Sequence, residues 1–193
     1  LVSFYVLPED VSIEGMTAGI SDNIISIIGE GTAAYNLNGE WSGTLTEFSP
    51  EKGYWISINT LPDELSGIGV DINNDIVYNL HSGPNLISFP GMGSVDIGSA
   101  ISDDVEDLFE AIIAEGMSAL NTEYGWAGSL TGFQGGSGYW VIVEDDLSFS
   151  YNIDASMVRS AHTFIENLPE NSDFRVVQSS RQAFYFVDEV ILE

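Results

Sequence analysis

Cysteine is missing from all 193 residues, which excludes disulfide staples and thiol chemistry. Basic side chains are nearly missing as well: 4 Lys and Arg stand against 30 Asp and Glu, for a net charge of −26. Binding a polyanion requires cations that neutralise phosphates, so this balance argues against nucleic acid as a partner. It argues equally against an anionic membrane surface. No apolar run of about 18 residues occurs, so no transmembrane helix and no membrane insertion are expected. The stretch Leu1 to Val6 is apolar but short and lacks a basic flank, so it does not read as a signal peptide. Leu1 reads instead as a processed or trimmed start. There is no Asn-x-Ser/Thr acceptor for N-glycosylation.

What is present points to a folded chain. Hydrophobic residues make up 44% and aromatic residues 11%, the content of a core-forming protein and not of a disordered one. The acidity suits a solvated surface, or a secreted protein kept soluble in salty water.

The strongest signal is self-similarity. Gly31 to Ile58 aligns without a gap on Gly116 to Val143, an offset of 85, with eleven identical positions. These include Trp41/Trp126, Gly43/Gly128, Phe48/Phe133 and the triplet Gly53-Tyr54-Trp55/Gly138-Tyr139-Trp140. The same offset sets Leu1-Val2-Ser3-Phe4 on Leu86-Ile87-Ser88-Phe89. Two copies follow, residues 1–72 and 73–154, with a remainder at 155–193.

Each copy shows the same order of elements. An apolar strand opens it, at Leu1–Val6 and at Leu86–Phe89. A helix is expected next, because Ile20, Ile24, Ile27 and Ile28 fall at spacings of three and four. In the second copy Val105, Leu108, Phe109, Ile112 and Ile113 do the same. Ser102 is the expected N-cap there and Gly116 the expected helix stop. Short strands follow, broken at Asn38-Gly39 and at Gly125. Alternation in Tyr54–Ile58 puts Tyr54, Ile56 and Ile58 on one face and Trp55 and Ser57 on the other. Closing strands are expected near Gly67–Ile72 and Leu147–Ile153. The expected fold class is mainly β (α+β): two small β-rich modules, each with one short helix, plus a C-terminal pair of strands.

Few residues carry chemistry. Asp71, Asn73 and Asp75 alternate like the start of a calcium loop, but Ile76 stands where the loop needs glycine and Ser82 where it needs glutamate. The segment reads as a polar linker, and no metal site is assigned. His81 and His162 have no histidine partner at ligand spacing and read as surface or turn residues. Gly135-Gly136-Ser137-Gly138 precedes a strand, whereas a phosphate loop precedes a helix, so it reads as a turn. Glu106 and Asp107 read as a solvated face. No catalytic residue and no cofactor is assigned. Trp41 and Trp126 are candidates for stacking on sugar rings, with core packing as the competing reading.

The segments Asn85–Pro90, Lys52–Ile56 and Gly138–Val141 resemble the "NLISFP" and "GKGYWI" strands of a repeat found in secreted bacterial cell-surface proteins. The resemblance covers about residues 1–154. It implies an extracellular, non-enzymatic structural role. Gln182 to Phe186 is similar to the "QAFYF" segments that open a further β-module in such proteins. About 39 residues with two apolar strands build little core alone. Terminal strands that seek a neighbouring sheet would join copies head to tail. On this reading the assembly strands are Leu1, Val2, Phe4 and Val6 at one end. At the other they are Phe184, Tyr185, Phe186, Val187, Val190 and Ile191. The expected partners are other copies of the chain in a secreted or surface filament. The alternative is a carbohydrate-binding or spacer module of a larger surface protein, with glycans as partners.

Overall fold

Runs of β-branched and aromatic residues separated by Gly and Asn turns favour short paired strands. The computed structural model describes residues 1–60 and 63–153, all within one compact unit spanning Leu1–His162. The expected C-terminal strand pair, with Phe184 to Ile191, and His162 lie outside the described residues.

The fold is mainly β. In order come β1 (Val6–Leu7), α1 (Ile13–Thr17), β2 (Ile24–Gly29), β3 (Thr32–Leu37), β4 (Glu40–Gly43), β5 (Trp55–Ile58) and β6 (Val70–Asp71). Then follow β7 (Tyr78–Leu80), β8 (Gly83–Ile87), β9 (Ser94–Asp96), α2 (Ile97–Ala100) and α3 (Asp103–Glu106). Last come β10 (Phe109–Ala114), β11 (Met117–Thr122), β12 (Gly125–Gly128), β13 (Gly132–Gln134), β14 (Tyr139–Val143) and β15 (Leu147–Phe149). One antiparallel sheet has the order β4-β3-β2-β5 and the other β12-β11-β10-β14-β8. Two-stranded ladders β1-β6, β13-β9 and β15-β7 complete the set.

Registers recur 85 residues apart. Ile27 faces Ala34 and Ile112 faces Ala119; Asn36 faces Trp41 and Asn121 faces Trp126. The tight turns differ. Asn38 and Gly39 both have positive φ, 59° and 94°, as a two-residue I′ hairpin requires. In the second sheet Glu123 and Tyr124 lie between Thr122 and Gly125, and the positive φ of 94° falls on Gly125.

The expected helices are not there. Ile24, Ile27 and Ile28 lie in strand β2, and Phe109, Ile112 and Ile113 in strand β10. A bulge explains the false helical period. Between Ile24 and Ser26, and between Phe109 and Ala111, one extra residue interrupts the pairing with β5 and β14. A bulge turns two adjacent residues, Ile25 and Ser26, toward the same outer face, so inward positions fall at 24, 27 and 29 instead of strictly alternating. That mixture of spacings imitates a helix. Helices do occur nearby, but they are shorter and earlier. Ser12 caps α1 by accepting the Gly15 N–H, and Ser102 caps α3 through the Asp104 N–H, as expected for Ser102. Gly116 ends no helix. It takes φ of 74° in the turn between β10 and β11, as Gly31 does with 68° between β2 and β3.

Two cores result. The smaller gathers Ile13, Ile24, Ile27, Ala34, Phe48 and Tyr54. The larger holds the counterparts of five of these, Phe109, Ile112, Ala119, Phe133 and Tyr139, and adds a cluster of rings, with Tyr78, Phe149 and Tyr151 within 5.4 Å of one another. As alternation predicts, Tyr54 is buried and Trp55 exposed.

The two sheets are joined by exchanged strand contacts. Val2 bridges Tyr54 of its own sheet and Ser137 of the other; Ile87, 85 residues on, pairs with Tyr139 and bridges Lys52. The Ser3 N–H donates to the Gly136 carbonyl at 3.0 Å, and the Ser88 N–H to the Glu51 carbonyl at 3.1 Å. Each contact has a mirror contact at the 85-residue spacing, which is the pattern of a two-fold interface between like surfaces.

Candidate functional site

The site is a strand edge with a groove beside it. Val2 and Tyr54 exchange two backbone hydrogen bonds of 2.8 Å. Antiparallel ladders alternate, so the next outward-facing backbone groups on β5 belong to Ile56 and Ile58. Among the described residues no strand pairs with that side of β5 beyond Tyr54. The second sheet shows the same edge filled: β8 runs along β14, with Asn85 opposite Val141 and Gly83 opposite Val143.

Beside this edge lies a cavity of about 640 Å³, walled by apolar groups that include Val2, Phe4, Met16, Ile20, Ile56, Ile58 and Leu65. The second core holds a cluster of rings. Tyr78 stacks near Phe149 and Tyr151, its hydroxyl 2.8 Å from Ser88 Oγ, and Tyr151 donates to the Ser88 carbonyl at 3.2 Å. Burial pushes both phenols far above the ordinary range. At the 85-residue spacing the counterparts of Phe149 and Tyr151 are Glu64 and Ser66.

The N-terminal residues named from sequence form part of this site. Val2 and Phe4 wall the groove, and Phe4 packs edge-on against Phe48 at 4.9 Å. Val6 pairs with Asp71 in the β1-β6 ladder. The Leu1 amino group sits 3.1 Å from Glu115 Oε2. These residues are thus tied into their own chain.

Glu115 and its counterpart Glu30 were not singled out in the sequence. Glu30 accepts the Leu86 N–H at 2.9 Å and lies 2.7 Å from His81 Nε2, with Lys52 Nζ at 3.8 Å. Partial burial raises the Glu30 pKa, but the Leu86 N–H, His81 and Lys52 outweigh it and hold the carboxyl below its usual range. The Ser82 carbonyl, then Glu30 and Asp146, push His81 up. The signal was legible: the glutamates are identical at the same offset, one position before the aligned block.

Trp41 and Trp126 are half-buried and pack on their cores. The Trp126 indole N–H donates to Glu106 at 2.5 Å. The more exposed aromatic pair is Trp55 and Tyr35, on the outer face with Ile25, Ile28 and Leu37. Asp71 lies in β6, and Asn73 accepts the Asp75 N–H at 3.0 Å in a local turn. No group of three or more potential metal ligands occurs among the described residues. Gly135 to Gly138 form a turn, closed by the Ser137 N–H on the Gln134 carbonyl at 3.2 Å. No helix among them is long and apolar enough to cross a membrane.

No protein-family model, characterised protein or solved structure matches this chain.

Proposed function

We propose that this chain is a non-enzymatic subunit of a secreted or cell-surface filament, joined head to tail by strand complementation. The β5 edge with its groove is the acceptor, and Ala183–Leu192 of a neighbouring copy is the donor. One observation supports this reading above the others: the edge that β8 covers on β14 has no partner along Ile56–Ile58 among the described residues. A strand added there gains ladder hydrogen bonds and side-chain pockets together. Acceptor and donor are different surfaces, so the contact is head to tail and propagates into an open polymer unless it closes into a ring. The two copies of one module, 1–72 and 73–154, serve as the rigid body of the subunit. The extracellular location rests on the resemblance and on the charge of −26.

A carbohydrate-binding or spacer role is the second reading. It is favoured by the exposed Trp55 and Tyr35 on one sheet face.

The test compares the full chain with one lacking residues 183–193, by electron microscopy and sedimentation velocity. Filaments that vanish with the deletion, while thermal unfolding of the main unit is unchanged, support strand donation. Filaments that persist rule out this donor, and monomers in both samples rule out the polymer.

A further inference from the structure

The chain contains one Asn-Gly step, Asn38-Gly39, at the tip of the β3-β4 hairpin. Both residues have positive φ, 59° and 94°. Asn-Gly is favoured in such a turn because few other pairs adopt that backbone without strain. The same pair is chemically labile. Glycine has no Cβ to shield its peptide nitrogen, so that nitrogen can reach the side-chain carbonyl carbon of the preceding asparagine. Both residues are exposed, so water and base have access to them.

A neighbouring side chain holds the attacking nitrogen. The Gly39 N–H donates to Asn36 Oδ1 at 2.7 Å. Asn36 is fixed in turn: its Nδ2 donates to the Ser21 carbonyl at 2.7 Å, and it stands opposite Trp41 in the ladder. In the second module Asn121 keeps the equivalent anchor, donating to the Glu106 carbonyl at 2.9 Å. The turn beside it differs. The counterpart of Asn38 is Glu123, and that of Gly39 is Tyr124, whose N–H goes to the Thr122 hydroxyl at 3.2 Å. The bond from Gly39 to Asn36 thus belongs to the turn that carries an amide open to attack.

We propose that Asn38 is a modification site, converted to isoaspartate through attack by Gly39, and that Asn36 restrains the reaction. Base removes the Gly39 N–H proton, and the nitrogen attacks Asn38 Cγ. The Cγ–Nδ2 bond breaks, and ammonia leaves as Nδ2 takes a proton from water. A second water opens the succinimide ring at either carbonyl, giving aspartate or an isoaspartyl linkage. The Asn36 oxygen opposes the first step, because it stabilises the N–H and repels the amide anion that would replace it. An isoaspartyl linkage routes the main chain through Cβ and adds a negative charge close to Glu40. The lengthened link disrupts the pairing of Leu37 with Glu40 and loosens β4, the outer strand of its sheet.

In the test, the full chain is aged in mildly alkaline buffer, both folded and unfolded in urea. Peptic fragments covering Tyr35–Ser42 are followed by mass spectrometry with electron-transfer fragmentation, which separates isoaspartate from aspartate. Isoaspartate at Asn38 is expected in urea, with slower formation in the folded chain. Folded Asn36→Ala should form it up to about tenfold faster than the folded parent, the worth of one hydrogen bond to the attacking nitrogen. Asn36→Asp keeps an acceptor oxygen at that place and should stay close to the parent. Circular dichroism checks that both variants are folded; if Asn36→Ala is not, the comparison of the folded parent with the parent in urea decides. No isoaspartate at Asn38 in urea would overturn the site. Equal rates in the folded and unfolded parent, or in the parent and folded Asn36→Ala, would overturn the restraint. An equal rise in Asn36→Ala and Asn36→Asp would overturn it too, since loosening of the hairpin and not the acceptor oxygen would then set the rate.

Discussion

Gly53 and Gly138 meet across the two-fold interface. A Cβ built on either would lie 3.3 Å from the other's Cα. It would also lie 2.7 Å from a carbonyl oxygen, that of Ile87 for Gly53 and that of Val2 for Gly138. The repeated Gly-Tyr-Trp triplet thus has a physical reason at each position. The glycine lets two backbones touch, the tyrosine fills a core, and the tryptophan faces outward.

Gly53→Ala and Gly138→Ala should therefore each destabilise the fold by about 1–3 kcal/mol, because the clash is with backbone and not with a flexible side chain. The double variant should fall short of the sum, since both substitutions disturb one contact. Gly19→Ala, with nothing within 4 Å, is the control and should stay within about 0.5 kcal/mol of the parent. Urea unfolding followed by tryptophan fluorescence reads all four.

Much of this was legible in the sequence, and the reasons are specific. The 85-residue spacing and the alternation through Tyr54–Ile58 carry the register of the central strands, because packing one face of a pleated strand leaves a period of two. The bulges at Ser26 and Ala111 hid β2 and β10, since an extra residue breaks that period and leaves spacings of three. The open edge of β5 was the least legible part. An open edge is a relation between strands distant in sequence, and only comparing β5 with β14 shows it.

Tyr54 and Tyr139 each accept a backbone N–H at 2.7 Å, from Ser49 and from Gln134. Replacing either by Phe keeps the ring packing but strands that N–H. A loss of about 1–2 kcal/mol per site is expected. Equal losses at the two sites in thermal unfolding would match their equivalent geometry; no loss at either would place the hydroxyls in water.

The Glu30–His81 pair predicts a pH signature. The folded-state pKa of His81 is raised above 6.5, so its contribution is complete below that pH and is lost as pH rises through the folded value. The folded-state pKa of Glu30 is lowered below 4.5, so its contribution is present above that pH and is lost as pH falls through the folded value. The clasp is therefore fully formed between about pH 4.5 and 6.5. An NMR titration of the His81 ring should show a midpoint above 6.5. Glu30→Gln should lower that midpoint without abolishing the Ser82 contribution. An unchanged midpoint in the variant would mean that the pair does not form.

Trp126→Ala should cost stability through lost packing and leave Glu106 without its indole donor, whereas Trp55→Ala should cost little. Glycan-array retention measured on the same two variants separates the second functional reading from the first. Retention lost with Trp55→Ala at unchanged stability would favour sugar binding.

The central claim is that β5 receives a strand from another copy, and amide hydrogen exchange tests it most directly. The full chain is labelled in deuterium across a series of concentrations, and fragments covering Tyr54–Ile58 and Tyr139–Val143 are compared by mass spectrometry. The account predicts that exchange in the β5 fragment slows as concentration rises. The β14 fragment, already paired with β8, should stay constant. Uniform exchange in the β5 fragment at every concentration, in a sample that contains filaments, would contradict it.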